Sequence, residues 1–282
     1  MYRSSARLVR YLARRYRVPL DRAHILGHDN VPAPTPRALP RMHWDPGPFW
    51  DWKHYLDLLH ARRPVPAPTG SPIVAIAPGF GTNTPPLTHC DATGCRSLPP
   101  QPASFVPLRT QPSDDAPLLG DAALGADPGT TRVDDLRDKA AQGQRFVVAQ
   151  RRPGWTAIWF GGLEAWFQDP GGSIGAPAHG RIARPRPGVA SVPLYGRPLP
   201  EPQAYPAGVP VQPLVPLPYA IPAGQAYVAA APVRGDLYLA RSVDGSLPGD
   251  RTVVRGHACY YPIEYNHRLA FVRAEDVTVE RV

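Results

Sequence analysis

Lysine is nearly absent. Lys53 and Lys139 are the only two among 31 basic residues, and arginine supplies the rest. A chain rich in arginine, alanine, proline and glycine with so little lysine reads as the product of GC-rich coding. The formal net charge of +8 therefore does not by itself call for an anionic polymer, and no nucleic-acid partner is expected. The arginines of residues 3–22 share their helix with an apolar stripe, which argues for packing rather than for nucleic acid. Long apolar runs are also missing. Nothing approaches the ~18 residues that a membrane-spanning helix needs, which excludes a pore and membrane insertion. Met1 to Arg17 is basic but has no apolar core and no small-residue cleavage site, so no signal peptide is expected in it. Cysteine is scarce: Cys90, Cys95 and Cys259 are the only three. A zinc ribbon needs two close pairs, and only Cys90 and Cys95 are close. That pair reads as a local disulfide of an oxidising compartment, the alternative being two free thiols in a loop. Cys259 reads as a buried small hydrophobe.

Proline and glycine are abundant, at 39 and 25 of 282 residues. This excludes one compact helical domain. A hydrophobic content of 43% still allows real cores, and the length suits about two domains. Residues 4–17 read as an amphipathic helix with Leu8, Tyr11, Leu12 and Tyr16 on its apolar stripe, capped by Ser4 or Ser5 and stopped by Pro19. His24 to His28 reads as a short buried strand. A proline-rich loop over 31–50 leads to a second helix over 50–60, with Trp52, Tyr55, Leu56 and Leu59 on one stripe. From Arg62 to about Ala103 the chain reads as a linker, with Ile73 to Ile76 docking onto the N-terminal region.

The remainder reads as short strands between turns. Val106-Pro107-Leu108 recurs as Val192-Pro193-Leu194, and Gly143-Gln144-Arg145-Phe146-Val147 as Gly224-Gln225-Ala226-Tyr227-Val228. Two related small β modules follow from this, the alternative being a chance match of tripeptides. The expected division is 1–61, a linker over 62–103, a first module over 104–170, a linker over 171–186 and a second module over 187–282. Residues 198–222 read as an extended proline-rich insert.

Chemistry concentrates in residues 20–52, where His24, His28, Asp29, His43 and Asp45 fall close together. Imidazole nitrogens and a carboxylate are the ligand types of a catalytic zinc, which takes three protein ligands and leaves one position for water. Pro46 restricts the backbone of Asp45 to extended conformations, and such stiffness lowers the cost of ordering a ligand.

The run Leu20-Asp21-Arg22-Ala23-His24-Ile25-Leu26-Gly27-His28-Asp29, followed by Asp45-Pro46-Gly47-Pro48-Phe49-Trp50-Asp51-Trp52, resembles the second half of the zinc-dependent N-acetylmuramoyl-L-alanine amidases, the family related to peptidoglycan-recognition proteins. The helix over Leu8 to Tyr16 fits as well, so the resemblance covers residues 4–60. It implies Zn2+ as cofactor, His28 and Asp45 as two of three metal ligands, and His43 at a position that contacts the reacting carbonyl. His24 lies outside that ligand pattern and reads as a packing residue or one that supports the ligands from behind. The family's first zinc histidine and its acid/base residue have no counterpart here, so the resemblance implies a truncated, impaired amidase. His43 is a candidate third ligand, with the family geometry rebuilt.

The following modules resemble tandem Src-homology-3-like barrels of wall hydrolases. The expected fold is thus an α+β amidase-domain fragment followed by all-β small barrels on proline-rich linkers. The expected partner is peptidoglycan, and the expected location is the cell wall or outside the cell. The alternative function is cell-wall binding by the β modules without catalysis.

Overall fold

Residues 2–16 carry neither proline nor glycine and form helix α1 (Tyr2–Tyr16), which ends on a left-handed Arg17 (φ 57°) just before Pro19. Ser4 and Ser5 do not cap it. The helix starts at Tyr2, and Ser5 Oγ shares a 2.7 Å hydrogen bond with Tyr55 Oη. Helix α2 (Trp52–Leu58) is capped by Asp51, whose carboxylate accepts from His54 N. The two helices meet through Ala6 of α1 and Trp52, Tyr55 and Leu59. Small alanines permit this close approach, so α1 turns its alanine face inward. The stripe expected to be buried lies outside instead, with Leu8, Tyr11, Leu12 and Tyr16 40–70% exposed.

The computed structural model describes residues 1–61, 65–240, 242 and 251–282. It is mostly β, with 35% strand and 15% helix. This corrects the expected α+β amidase fragment, because no strand occurs among the described residues before Ile73. The run His24 to His28 is turn and loop, not strand. Asp21 Oδ1 accepts from the backbone N–H groups of Ala23 and His24, and Ile25 N donates to Asp21 O. The backbone bonds that a strand would offer a neighbour are thus spent locally.

The first β unit is built from β1 (Ile73–Ile76), β2 (Thr88–Asp91), β3 (Gly94–Ser97), β4 (Phe105–Pro107), β5 (Lys139–Ala141), β6 (Arg145–Arg152), β7 (Trp155–Phe160), β8 (Leu163–Gln168) and β9 (Gly175–Pro177). Its antiparallel main sheet runs β8-β7-β6-β1-β9. β4 pairs with β5, and a bridge between Arg109 and Trp166 ties that pair to β8. A 3-10 turn at Pro170–Gly172 separates β8 from β9. Ile73 to Ile76, read from sequence as part of a linker, is therefore a central strand, with Val74 and Ile76 in the core beside Phe146, Phe160 and Phe167. The β2–β3 hairpin projects outward and is closed by a Cys90–Cys95 disulfide.

The second unit comprises β10 (Arg181–Pro185), β11 (Ser191–Tyr195), β12 (Pro216–Pro222), β13 (Tyr227–Ala229), β14 (Val233–Leu239), β15 (Thr252–Glu264), β16 (Leu269–Arg273) and β17 (Val277–Arg281). Its sheet runs β12-β11-β16-β15-β13-β10-β17, with β14 added on β15. The path β16-β15-β13-β10-β17 repeats β8-β7-β6-β1-β9 strand for strand. A 3-10 turn, Ala274–Asp276, again precedes the last strand. The sequence repeat falls on equivalent turns: Gly143 and Gly224 take φ of 84° and 86°. Gln144 N donates to Ala141 O as Gln225 N does to Pro222 O. Ile73, Val147, Ala178, Ile182 and Val228 form one apolar cluster shared by both units. Cys259, expected to be buried, is exposed on β15, because the alternation of the strand gives the inward place to Tyr260. Among the described residues no helix is long and apolar enough to cross a membrane.

Candidate metal centre

The segment from Gly27 to Pro46 is folded by its small residues and prolines into two 3-10 turns, His28–Asn30 and Pro36–Arg41, with extended chain on either side. A side chain at Gly27 would run into Asp29 Oδ1 and Pro46 Cδ, so only glycine lets the start of the loop lie against its end. Asp29 N then donates to Asp45 O at 2.8 Å, which brings His28 beside Asp45. His43 and Asp45 are two apart on extended chain and therefore share a side.

The outcome is a cluster in which one donor atom each from His28, His43 and Asp45 lies within 4.8 Å of the others. His28 Nδ1 is 3.5 Å from Asp45 Oδ2, and His43 Nδ1 is 3.5 Å from Asp45 Oδ1. The two imidazoles stack with centroids 4.8 Å apart. Donors bound to zinc at about 2.0–2.1 Å in a tetrahedral arrangement stand ~3.3 Å from one another, so the donor types suit that ion and the two histidine–aspartate separations come near this spacing, while the cluster as a whole, at up to 4.8 Å, must draw together to hold it. All three side chains open to solvent, at 48%, 69% and 64% exposure. His24 stands apart, with its Nδ1 on Asp21 Oδ1 at 2.7 Å.

Beneath the exposed triad lies a buried polar layer. His267 Nε2 lies 3.1 Å from Asp29 Oδ2, and His267 Nδ1 donates to Lys139 O at 2.7 Å. The second oxygen of Asp29, Oδ1, has no hydrogen-bond partner. Asn30 Nδ2 donates to His267 O at 2.8 Å, and its Oδ1 accepts from Arg22 Nη2. The Arg22 guanidinium lies 3.8 Å over the Trp52 ring and also donates to Gln142 O. Burial pulls the Arg22 pKa down, against the opposing pull of Glu264 and Asp29. Burial pushes the Glu264 carboxyl up, with Arg22 and Arg145 opposing. The N-terminal segment and both β units thus meet in this layer, through Arg22, Asp29 and Asn30, the carbonyls of Lys139 and Gln142, and His267.

A cleft of about 320 Å³ runs alongside, lined by Met42, Asp121, Arg132, Asp135, Tyr219 and Arg268, among others. The larger cavity of about 890 Å³ lies elsewhere, between Pro200 to Leu214 and β15, and holds none of the triad. The sequence picked out His28, His43 and Asp45, and the structure brings these three together. It did not pick out His267, Arg268 or the buried role of Asp29. No protein-family model, curated protein or solved structure matches the chain.

Proposed function

We propose that this chain binds zinc through His28, His43 and Asp45 and acts on bacterial peptidoglycan as an N-acetylmuramoyl-L-alanine amidase. The reaction is hydrolysis of the amide between N-acetylmuramic acid and L-alanine. The convergence of three donors of the right kind carries this reading. The resemblance of residues 4–60 to that amidase family supports it and names the bond. In this reading His43 serves as the third donor rather than as a contact to the carbonyl. The two imidazoles and one carboxylate would leave a zinc held there with a net positive charge and room for a fourth ligand, as in catalytic zinc sites. Zinc held there supplies Lewis acidity and lowers the pKa of a bound water.

Asp45 turns one oxygen toward Nδ1 of each histidine, so the three side chains face a common point. The triad stands at the surface, which suits a polymer too large for an enclosed pocket. The two β units read as Src-homology-3-like modules that hold the wall, supported by their shared strand order. The reading sets the protein in the cell wall or outside the cell, and the Cys90–Cys95 bridge supports an oxidising compartment. Incubation with purified peptidoglycan tests it. Zinc-dependent appearance of free L-alanine amino groups is expected, abolished by chelation and by Asp45→Ala. Peptidoglycan left uncut at every zinc concentration would overturn catalysis.

A second reading, wall binding without catalysis, is favoured by a different feature. A cleft of about 510 Å³ on the first unit sets Trp155 and Trp166 beside Gln150, Arg152 and Glu164. Trp166 is buried and Trp155 half-buried, so the Trp155 ring with its polar neighbours is the face that suits a sugar polymer. Co-sedimentation with cell walls that is lost in Trp155→Ala and kept in His28→Ala, with no release of amino groups, would favour this reading.

A further inference from the structure

The three metal donors sit on a segment that has little regular structure to hold it. Between Val31 and Trp44 its apolar side chains lean outward: Ala33 and Leu39 pack on Leu217 of β12, with Met42 and Tyr219 alongside. Ala33 O lies so close to Gly196 that a side chain there could not be accommodated. The loop that carries the histidines is therefore laid on the second β unit rather than folded on itself.

The polar contacts are more specific. The β15–β16 hairpin turns through Tyr265, Asn266, His267 and Arg268. Arg268 Nη1 donates to His28 O at 3.1 Å and to Val31 O at 3.2 Å, and its Nη2 donates to His43 O at 2.6 Å. One guanidinium thus holds the backbone carbonyls of both histidines, which are 15 residues apart in sequence. The third donor is held by the neighbouring residue of the same turn. His267 Nε2 meets Asp29 Oδ2, and Asp29 N donates to Asp45 O. Arg268 N in turn donates to Asn266 Oδ1 at 2.8 Å, which fixes the turn. A guanidinium suits this task because its planar fork of N–H donors reaches several carbonyls without losing much freedom per bond.

We propose that Arg268 is the positioning residue of the His28–His43–Asp45 triad, so that the second β unit is part of the metal site. This rests on the zinc reading given above. A loop carrying three exposed donors must otherwise be ordered when the ion arrives, and that ordering lowers affinity. Arg268 orders it beforehand. Outer contacts that orient metal ligands are worth about 10–100-fold in affinity.

The test is zinc titration by calorimetry on the whole chain, with thermal unfolding of the zinc-free proteins measured alongside. Arg268→Ala is expected to weaken binding about tenfold, and Arg268→Lys to fall between it and the wild type. Arg184→Ala removes an exposed arginine that pairs with Glu280 and is expected to bind as the wild type does. Cobalt in place of zinc is expected to show an altered visible spectrum in Arg268→Ala, which a purely structural role would not produce. If Arg268→Ala does not fold, Arg268→Gln decides by the same criterion. A dissociation constant within twofold of wild type for Arg268→Ala, or equal weakening by Arg184→Ala, would overturn the assignment of Arg268 alone. Absence of zinc binding in the wild type would overturn the metal reading and this assignment together.

Discussion

The two β units place a hairpin turn at the same point of the same strand order and use it in opposite ways. In the first unit β7 joins β8 through Gly161-Gly162, both at positive φ, 63° and 82°. Two such residues make the tightest connection between strands. This turn faces the other unit: Gly161 N donates to Tyr265 O, Gly162 N to Tyr227 Oη, and Gly162 O accepts from Gln225 Nε2. In the second unit β15 joins β16 through four residues with side chains, and these hold the histidine-bearing loop. The lesson is that a duplicated scaffold can keep one copy of a turn for packing and enlarge the other to position a site. Elsewhere the copies differ in their side chains. Phe146 stands where the second unit has Tyr227, and Asp138-Lys139 stands where it has Tyr219-Ala220.

These differences can be pushed on. The largest effect is expected at Phe146, which is fully buried in the first core. Phe146→Ala should cost about 3–5 kcal/mol in urea unfolding. A loss under ~1 kcal/mol would mean that the first unit is not packed as described. Next is Gly161→Ala, which forces a side chain into left-handed backbone at a cost of about 1–2 kcal/mol. Urea unfolding reads this cost, and a neutral result would deny that the β7–β8 turn needs glycine at this positive φ. Tyr227→Phe removes the hydroxyl that Phe146 lacks and leaves Gly162 N without its partner. About 1–3 kcal/mol is expected, and a neutral result would deny that this hydroxyl joins the units.

The smallest effect is a titration. Burial pushes the Asp138 carboxyl up to about 6, against the pull of Lys139 at 2.8 Å. The folded chain therefore holds this proton more tightly than the unfolded chain does. The resulting contribution to stability is present below about pH 4 and lost as pH rises through about 6. Carboxyl-detected NMR of Asp138 should show a midpoint near that value. A midpoint in the ordinary range near ~3.9 would contradict the burial of the pair.

Local signals in the sequence were readable where local chemistry decides structure. Both helices form near their expected places, and the repeated Gly-Gln turns fall at equivalent points. Ile73 to Ile76 was opaque because four apolar residues amid proline say nothing of partners such as Val147 and Pro177, about 70 to 100 residues away. The stripe of α1 misled because periodicity reveals that a helix has a face, not which face meets a neighbour. Alanine, which carries little hydrophobic signal, marked the contact. At the candidate site the three donors were visible as residue types close in sequence. Arg268 was not, because its contacts with His28, Val31 and His43 span 225 to 240 residues and an arginine in a hairpin turn ordinarily faces water. A signal did exist: the equivalent turn of the first repeat is Gly-Gly, and the second replaces it with Tyr-Asn-His-Arg.

The most direct test of the account is zinc titration of the whole chain beside His28→Ala, His43→Ala and Asp45→Ala. The account predicts one zinc per chain, with affinity falling sharply when any one of the three is removed, since catalytic sites hold the ion with three protein ligands. Binding that survives all three substitutions, or no binding by the wild type, would contradict it.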